Sequence, residues 1–110
     1  MKDSVSLPPN QPATMKSTLT DRPITVGVSS QSTTFINYKS GIITSPTCGT
    51  VNDAYMLVVG WESDETLGDY FIVKNSWGED WGEKGYARIA ISDDLGTCGV
   101  NQVASYPLTN

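Results

Sequence analysis

"YFIVKNSWGEDWGEKGYARI" spans residues 70–89, and its reading decides the fold. "YFIVKNSW" (70–77) has the apolar start and the length of a buried strand. "GYARIAI" (85–91) alternates Tyr86, Arg88 and Ala90 against Ala87, Ile89 and Ile91, the period-two pattern of a second strand. Between them stand Trp77-Gly78 and Trp81-Gly82, four residues apart, and then Gly85-Tyr86. Glycine takes backbone conformations that other residues resist, so the chain can bend sharply beside each bulky ring. Read from the residues alone, the segment is a rigid, turn-rich connection in which Trp77 and Trp81 cap a core.

Outward from this segment the pattern is of short strands. "AYMLVVGWE" (54–62) is almost continuously apolar and is expected to be a strand buried on both faces. "SDETLGD" (63–69) then reads as an exposed acidic hairpin loop. "RPITVGV" (22–28) places Ile24, Val26 and Val28 on one face of a half-buried strand. "SSQSTT" is a polar loop, and "FINYKSGII" (35–43) turns at Ser40-Gly41 between two short apolar runs. "SDDLGTCG" is a further turn, and "NQVASYPLTN" is expected as a final edge segment. Residues 1–22 read as an extended leading segment with a short helix, which Asn10 would cap and which would run to Leu19. In that helix Ala13, Met15 or Lys16, and Leu19 are spaced to dock on a sheet. Four or five strands with hairpin loops and one short helix predict a mainly β domain of the α+β kind over residues 23–110, a small antiparallel sheet or barrel.

Composition narrows the functional classes. A chain of 110 residues is the size of one domain, and 38% apolar with 17% charged residues is ordinary for a folded one. The net charge of −5, with seven scattered basic residues, argues against a nucleic-acid partner, which needs clustered cations. No apolar run has the roughly 18 residues of a membrane span. "MKDSVSLPPN" has no apolar signal core, so no secretion signal is expected. There is no histidine, which removes the usual neutral-pH general base and the commonest metal ligand. A zinc site is therefore not expected, and no cofactor is indicated. Cys48 and Cys98 sit in similar settings, "PTCGT" and "GTCGV". The residues alone leave open a disulfide or a reduced pair.

"KNSWGEDWGEKGY" closely resembles the asparagine-tryptophan signature of papain-like cysteine peptidases. The likeness extends over most of the chain: "RPITVGV" is similar to the strand that opens the family's second, barrel-like domain, "FINYKSGII" to its aromatic-glycine segment, and "NQVASYPLTN" to its C-terminal strand. Cys48 and Cys98 match a family disulfide, which implies that they are bridged. The likeness is to one domain of a two-domain peptidase; the helical domain with the nucleophilic cysteine and the oxyanion-hole glutamine has no counterpart in these residues. Family members are mostly lysosomal, vacuolar or secreted.

The resemblance also locates a departure. The family's catalytic histidine falls between the first disulfide cysteine and the Val-Gly-aromatic end of the next strand. Counting forward from Cys48 and back from Gly60 both reach Ala54, with Asp53 matching the residue before the base. Deletion of the histidine is the alternative, and it leaves the same chemistry. The mechanism needs an imidazole to take the thiol proton and return it to the leaving amine, and a methyl group does neither. Asp53 is a poor substitute, since a carboxylate of pKa about 4 is a weak base at neutral pH and would raise a neighbouring thiol's pKa. It reads instead as a turn residue at the start of the strand.

Asn75 matches the asparagine that orients the imidazole, and Trp77 the ring that shields that hydrogen bond. With no imidazole they are expected to be a turn residue satisfied by backbone and a core residue. Gly27, Asn52, Tyr55 and Val103 match the surroundings of the family's main specificity pocket, where Tyr55 replaces a small residue and would narrow it. The chain is thus expected to be catalytically inactive alone, a pseudo-peptidase or fragment with a structural or partner-binding role. Its partner would be a helical half-domain, another protein or a second copy. The alternative is half of a split endopeptidase whose nucleophile comes from elsewhere.

Overall fold

Ile24, Val26 and Val28 are all fully buried, as their alternation predicts, and the strand that carries them, β2 (Ile24–Val28), lies near the middle of a seven-stranded sheet. This is seen in a computed structural model that describes residues 4–30, 33–44, 48–49, 53–92 and 96–107. The elements in chain order are β1 (Ser4–Ser6), α1 (Pro12–Leu19), β2, the helical turn α2 (Thr33–Ile36), β3 (Ile42–Ile43), β4 (Ala54–Asp64), β5 (Gly68–Lys74), β6 (Tyr86–Ala90), a 3-10 turn (Thr97–Gly99) and β7 (Ala104–Pro107). The sheet order is β1-β7-β2-β4-β5-β6-β3. All neighbours are antiparallel except β3 and β6, so the expected antiparallel sheet carries one parallel edge pair.

Strands β4, β5 and β6 contribute alternate side chains to one core. Met56 and Val58 of β4, Phe71 and Val73 of β5, and Ala87 and Ile89 of β6 are buried, each larger apolar one contributing about 1.5–3 kcal/mol relative to exposure. Val59 is an extra residue: Val58 pairs with Val73 and Gly60 with Ile72, so β4 bulges there. Helix α1 covers the core with Met15 (1% exposed) and the partly buried Leu19. The Lys16 ammonium ties α1 to the β4–β5 hairpin by an ion pair with Asp69 and lies 4.5 Å from the Trp61 ring centroid.

Several expectations are corrected. Asn10 does not cap α1: the cap position is Gln11, without a side-chain cap bond, and Asn10 (φ 62°) donates its backbone N–H to Asn101 O at 2.7 Å. Pro12 starts the helix because its fixed φ and missing N–H cost nothing in a first turn. Residues 33–36 close a helical turn rather than continuing the polar loop into a short apolar run. The C-terminal segment is not an edge: β7 lies between β1 and β2, and Ser4–Ser6 forms the edge by pairing with residues 105–107. The strand at 54–64 is not buried on both faces. Tyr55 and Val59 are 69% and 40% exposed, because none of the described elements covers that side of the sheet.

The turn-rich segment is rigid for identifiable reasons. A Cβ on Gly82 (φ +62°) would stand 2.6 Å from Tyr86 O and 2.9 Å from the Tyr38 ring, so only glycine fits. Glu83 takes two hydrogen bonds from Arg88, at 3.0 and 2.9 Å, and one from Gly41 N at 2.9 Å. The Tyr38 hydroxyl donates to Gly41 O and accepts from Arg88 N. This group pins the 38–41 loop to β6, and Glu83 is held below the usual carboxylate range chiefly by the Arg88 guanidinium. Cys48 and Cys98 form the implied disulfide, fully buried at 0% and 1% exposure.

Candidate functional site

The end of β2, the start of β4 and the end of β5 bring together most of the residues singled out in the sequence. In the β2–β4 ladder Val28 lies opposite Ala54 and Gly27 opposite Tyr55. Gly27 N donates to Val103 O at 3.0 Å, so Tyr55 and Val103 each neighbour Gly27, from different sides of β2. Gly27 is buried, while Tyr55 (69% exposed) and Val103 (44%) face outward. Asn52 lies outside the described residues.

Asp53 is exposed and ties the two strands. Its backbone N–H donates to Val28 O at 3.2 Å. Its Oδ1 accepts from Ser30 N at 2.9 Å and Ser30 Oγ at 2.7 Å. This is the geometry of a residue that fixes the start of a strand. Ser30 is the partner that the sequence did not reveal: it lies 23 positions away, and no local signal links the two. Ala54 follows as the first residue of β4, half-buried, with only a methyl group to offer.

Asn75 follows directly on β5 and is 7% exposed. Its N–H donates to Gly85 O at 2.9 Å. Its Oδ1 accepts from Ser76 N at 2.7 Å, and because that backbone group can only donate, the oxygen must be the atom that faces it. The buried Nδ2 has no acceptor among the described residues. The expectation of a backbone-satisfied turn residue therefore holds for the oxygen and not for the nitrogen. A buried amide without an acceptor costs about 1–3 kcal/mol.

Trp77 corrects the expectation of a core residue, being 44% exposed. It meets Phe35 and Trp81 edge to face, with centroids at 5.6 and 5.4 Å. Trp81 is the buried ring (8% exposed), donating Nε1–H to Phe35 O at 3.1 Å. Tyr55, Met56, Asn75 and Ser76, with Thr25, Leu57 and Lys74, line an open pocket of about 320 Å³. Chemically this constellation has donors, a carboxylate and aromatic walls. The 110 residues bring no imidazole to it, and both of their sulfhydryl-bearing residues are consumed in the disulfide.

Comparison with known proteins agrees with this geometry. Residues 1–108 match the model of the papain family of cysteine proteases. The chain belongs to that family. It is 41% identical over 106 residues to a probable cysteine protease, RDL6, of Arabidopsis thaliana, covering 94% of this chain and 29% of that protein. It is 41% identical over 112 residues to Testin-2 of Mus musculus, covering 98% of this chain and 33% of that protein. Among solved structures, the bromelain protease of Ananas comosus in complex with the E64 inhibitor superposes with a TM-score of 0.89 at 37% identity, covering 97% of this chain and 50% of that one. The chain thus spans about a third or less of these curated relatives and half of the solved chain.

Proposed function

We propose that these residues form the barrel half of a papain-like unit, and that as they stand they do not hydrolyse peptide bonds but serve as a docking and structural half. One observation carries this reading: Ala54 occupies the first position of β4, between an Asp53 gripped by Ser30 and the exposed Tyr55. Acyl transfer from a thiolate requires a group that accepts the thiol proton and later donates it to the leaving amine. Neither an alkyl group nor a carboxylate already engaged by Ser30 fills both roles. Tyr55, opposite Gly27 in the β2–β4 ladder, replaces the small residue that the resemblance implies at the family's specificity pocket, and a phenol ring there would restrict it.

The test is incubation of the chain with a fluorogenic dipeptide amide and with an epoxide probe of the E64 type. The expected result is no turnover and no covalent adduct between pH 5 and 8. Turnover above the uncatalysed rate by the unaltered chain would overturn the reading.

The presence of Asn75 and Trp77 just past the end of β5, the strand that pairs with β4, favours a second reading, half of a split cysteine endopeptidase. The other polypeptide would then have to supply both the thiol and the base. Epoxide labelling that requires both polypeptides would establish it.

A further inference from the structure

The geometry points to a covalent self-modification site at Asn75 and Ser76, where the chain loses ammonia and the asparagine becomes aspartate and isoaspartate. The inference goes beyond the proposed function and does not depend on it.

The reaction closes a cyclic imide between an asparagine side chain and the backbone nitrogen of the next residue. It needs that nitrogen beside the side-chain carbonyl carbon, a leaving amide that nothing holds, and access for water. Ser76 lies just past the end of β5, and its N–H donates to Asn75 Oδ1 at 2.7 Å. Oδ1 is one bond from Cγ, so this contact keeps the nitrogen next to the carbon that it attacks. At the other end of the amide, Nδ2 is buried and has no acceptor among the described residues. The side chain is thus anchored by the oxygen that stays and not by the nitrogen that leaves. Ser76 is exposed, and both residues line the open pocket of about 320 Å³ through which water reaches them.

Bulk on the following residue hinders the attack. Asn10, Asn37, Asn52 and Asn101 are followed by Gln11, Tyr38, Asp53 and Gln102, all larger than Ser76. The other asparagines of the chain therefore serve as internal controls.

Water and its hydroxide are the only reactants. Hydroxide takes the Ser76 N–H proton, the nitrogen bonds to Asn75 Cγ, and the carbonyl electron pair moves onto Oδ1. As the carbonyl re-forms, the Cγ–Nδ2 bond breaks and Nδ2 leaves as ammonia with a proton from water. A second water opens the imide. Opening at Cγ gives aspartate; opening at the backbone carbonyl gives isoaspartate, with an extra methylene in the main chain. Either product replaces a buried donor that lacks an acceptor with a carboxylate. The position is the one that the resemblance matches to the family's orienting asparagine, so the amide is lost there.

The experiment incubates the purified chain at neutral and mildly alkaline pH. Peptide mapping with electron-transfer fragmentation, which separates isoaspartate from aspartate, follows each asparagine with time. Conversion is expected first at Asn75, faster at the higher pH, and at least as fast in the folded chain as in the same chain unfolded in urea. Ser76→Val crowds the attacking nitrogen and is expected to slow it on the order of tenfold or more. Asn75→Gln, which would have to close a larger ring, is expected to leave position 75 unchanged over the same period. Circular dichroism checks that both variants are folded. Earlier conversion at another asparagine, slower conversion of Asn75 in the folded chain than in urea, or an unchanged rate in Ser76→Val would overturn the proposal.

Discussion

A single oxygen of Asp53 accepts hydrogen bonds from both the backbone nitrogen and the hydroxyl of Ser30, at 2.9 and 2.7 Å. It latches the end of β2 to the start of β4. Asp53→Ala is expected to cost about 1–2 kcal/mol in urea unfolding, the range for losing charge-assisted hydrogen bonds. Asp53→Asn keeps an acceptor oxygen and is expected to recover about half of that loss. Equal losses from both substitutions would show that the negative charge, and not the bond pattern, stabilises the junction.

Ala54→His places an imidazole next in sequence to the Asp53 carboxylate. A neighbouring negative charge favours the protonated ring, so its pKa is expected above the ordinary value of about 6.5. Proton NMR across pH 5–9 reads this directly, since the chain has no other histidine. Peptide hydrolysis is expected to stay at background, because both sulfurs remain in the disulfide.

The Cys48–Cys98 bridge closes 50 positions of chain. Cys48→Ala with Cys98→Ala is expected to lower stability by about 4 kcal/mol in the chain-entropy model, a large share of a small domain's total. Because both cysteines are buried, mild reductant is expected to leave the native chain bridged. Mass spectrometry after alkylation, with and without denaturant, separates the two cases.

Three carboxylates among the described residues, Asp64, Asp69 and Glu83, make the fold acid-sensitive, and Asp64 is held low chiefly by the Leu67 backbone N–H. Glu83 is held below the usual range chiefly by Arg88, and Asp69 chiefly by Lys16. Such groups contribute their full stability above the unfolded carboxylate pKa, about 4, and lose it as pH falls through the lower folded value. The Tm is therefore expected to be flat from about pH 7 to 5 and to drop below about pH 4. Glu83→Gln is expected to cost about 1 kcal/mol at neutral pH, discounted for partial exposure, and to flatten the acid limb.

The exposed Tyr55 and Val59 are expected to bind an anilinonaphthalene dye in the absence of a partner. Tyr55→Ser with Val59→Thr is expected to remove most of the dye signal without changing the far-ultraviolet spectrum. An unchanged signal would place the dye on the aromatic group around Trp77 instead.

The strands read at 22–28, 54–62, 70–77 and 85–91 were legible because each carries its own alternation or apolar run. They run 24–28, 54–64, 68–74 and 86–90, so that pairing of Ser63 with Asp69 and Asp64 with Gly68 shortens the expected 63–69 loop. What was not legible depends on distant partners. Nothing near Ser4–Ser6 announces a strand; its partners are residues 105–107, at the other end of the chain. For the same reason the C-terminal segment was read as the edge. Four residues are too few to show helical periodicity, so Thr33–Ile36 passed as loop and apolar run. The run at 54–62 reads as two-sided burial, and its outer face is apolar as such burial requires, yet among the described residues Tyr55 and Val59 on it stay exposed. At the site, Asp53 was read as a turn residue from its place before an apolar strand, and it immediately precedes β4, whereas Ser30 was invisible. Trp77 was misjudged because a tryptophan among glycines is compatible with either a capping or an exposed ring.

Pairing of Ser4 with Pro107 along the sheet edge has a practical outcome. The two ends of the fold emerge side by side, so a short flexible bridge could join them and the chain could be reopened at the 65–67 turn. Such a circular permutant would keep every strand contact while moving the break to the opposite end of the β4–β5 hairpin.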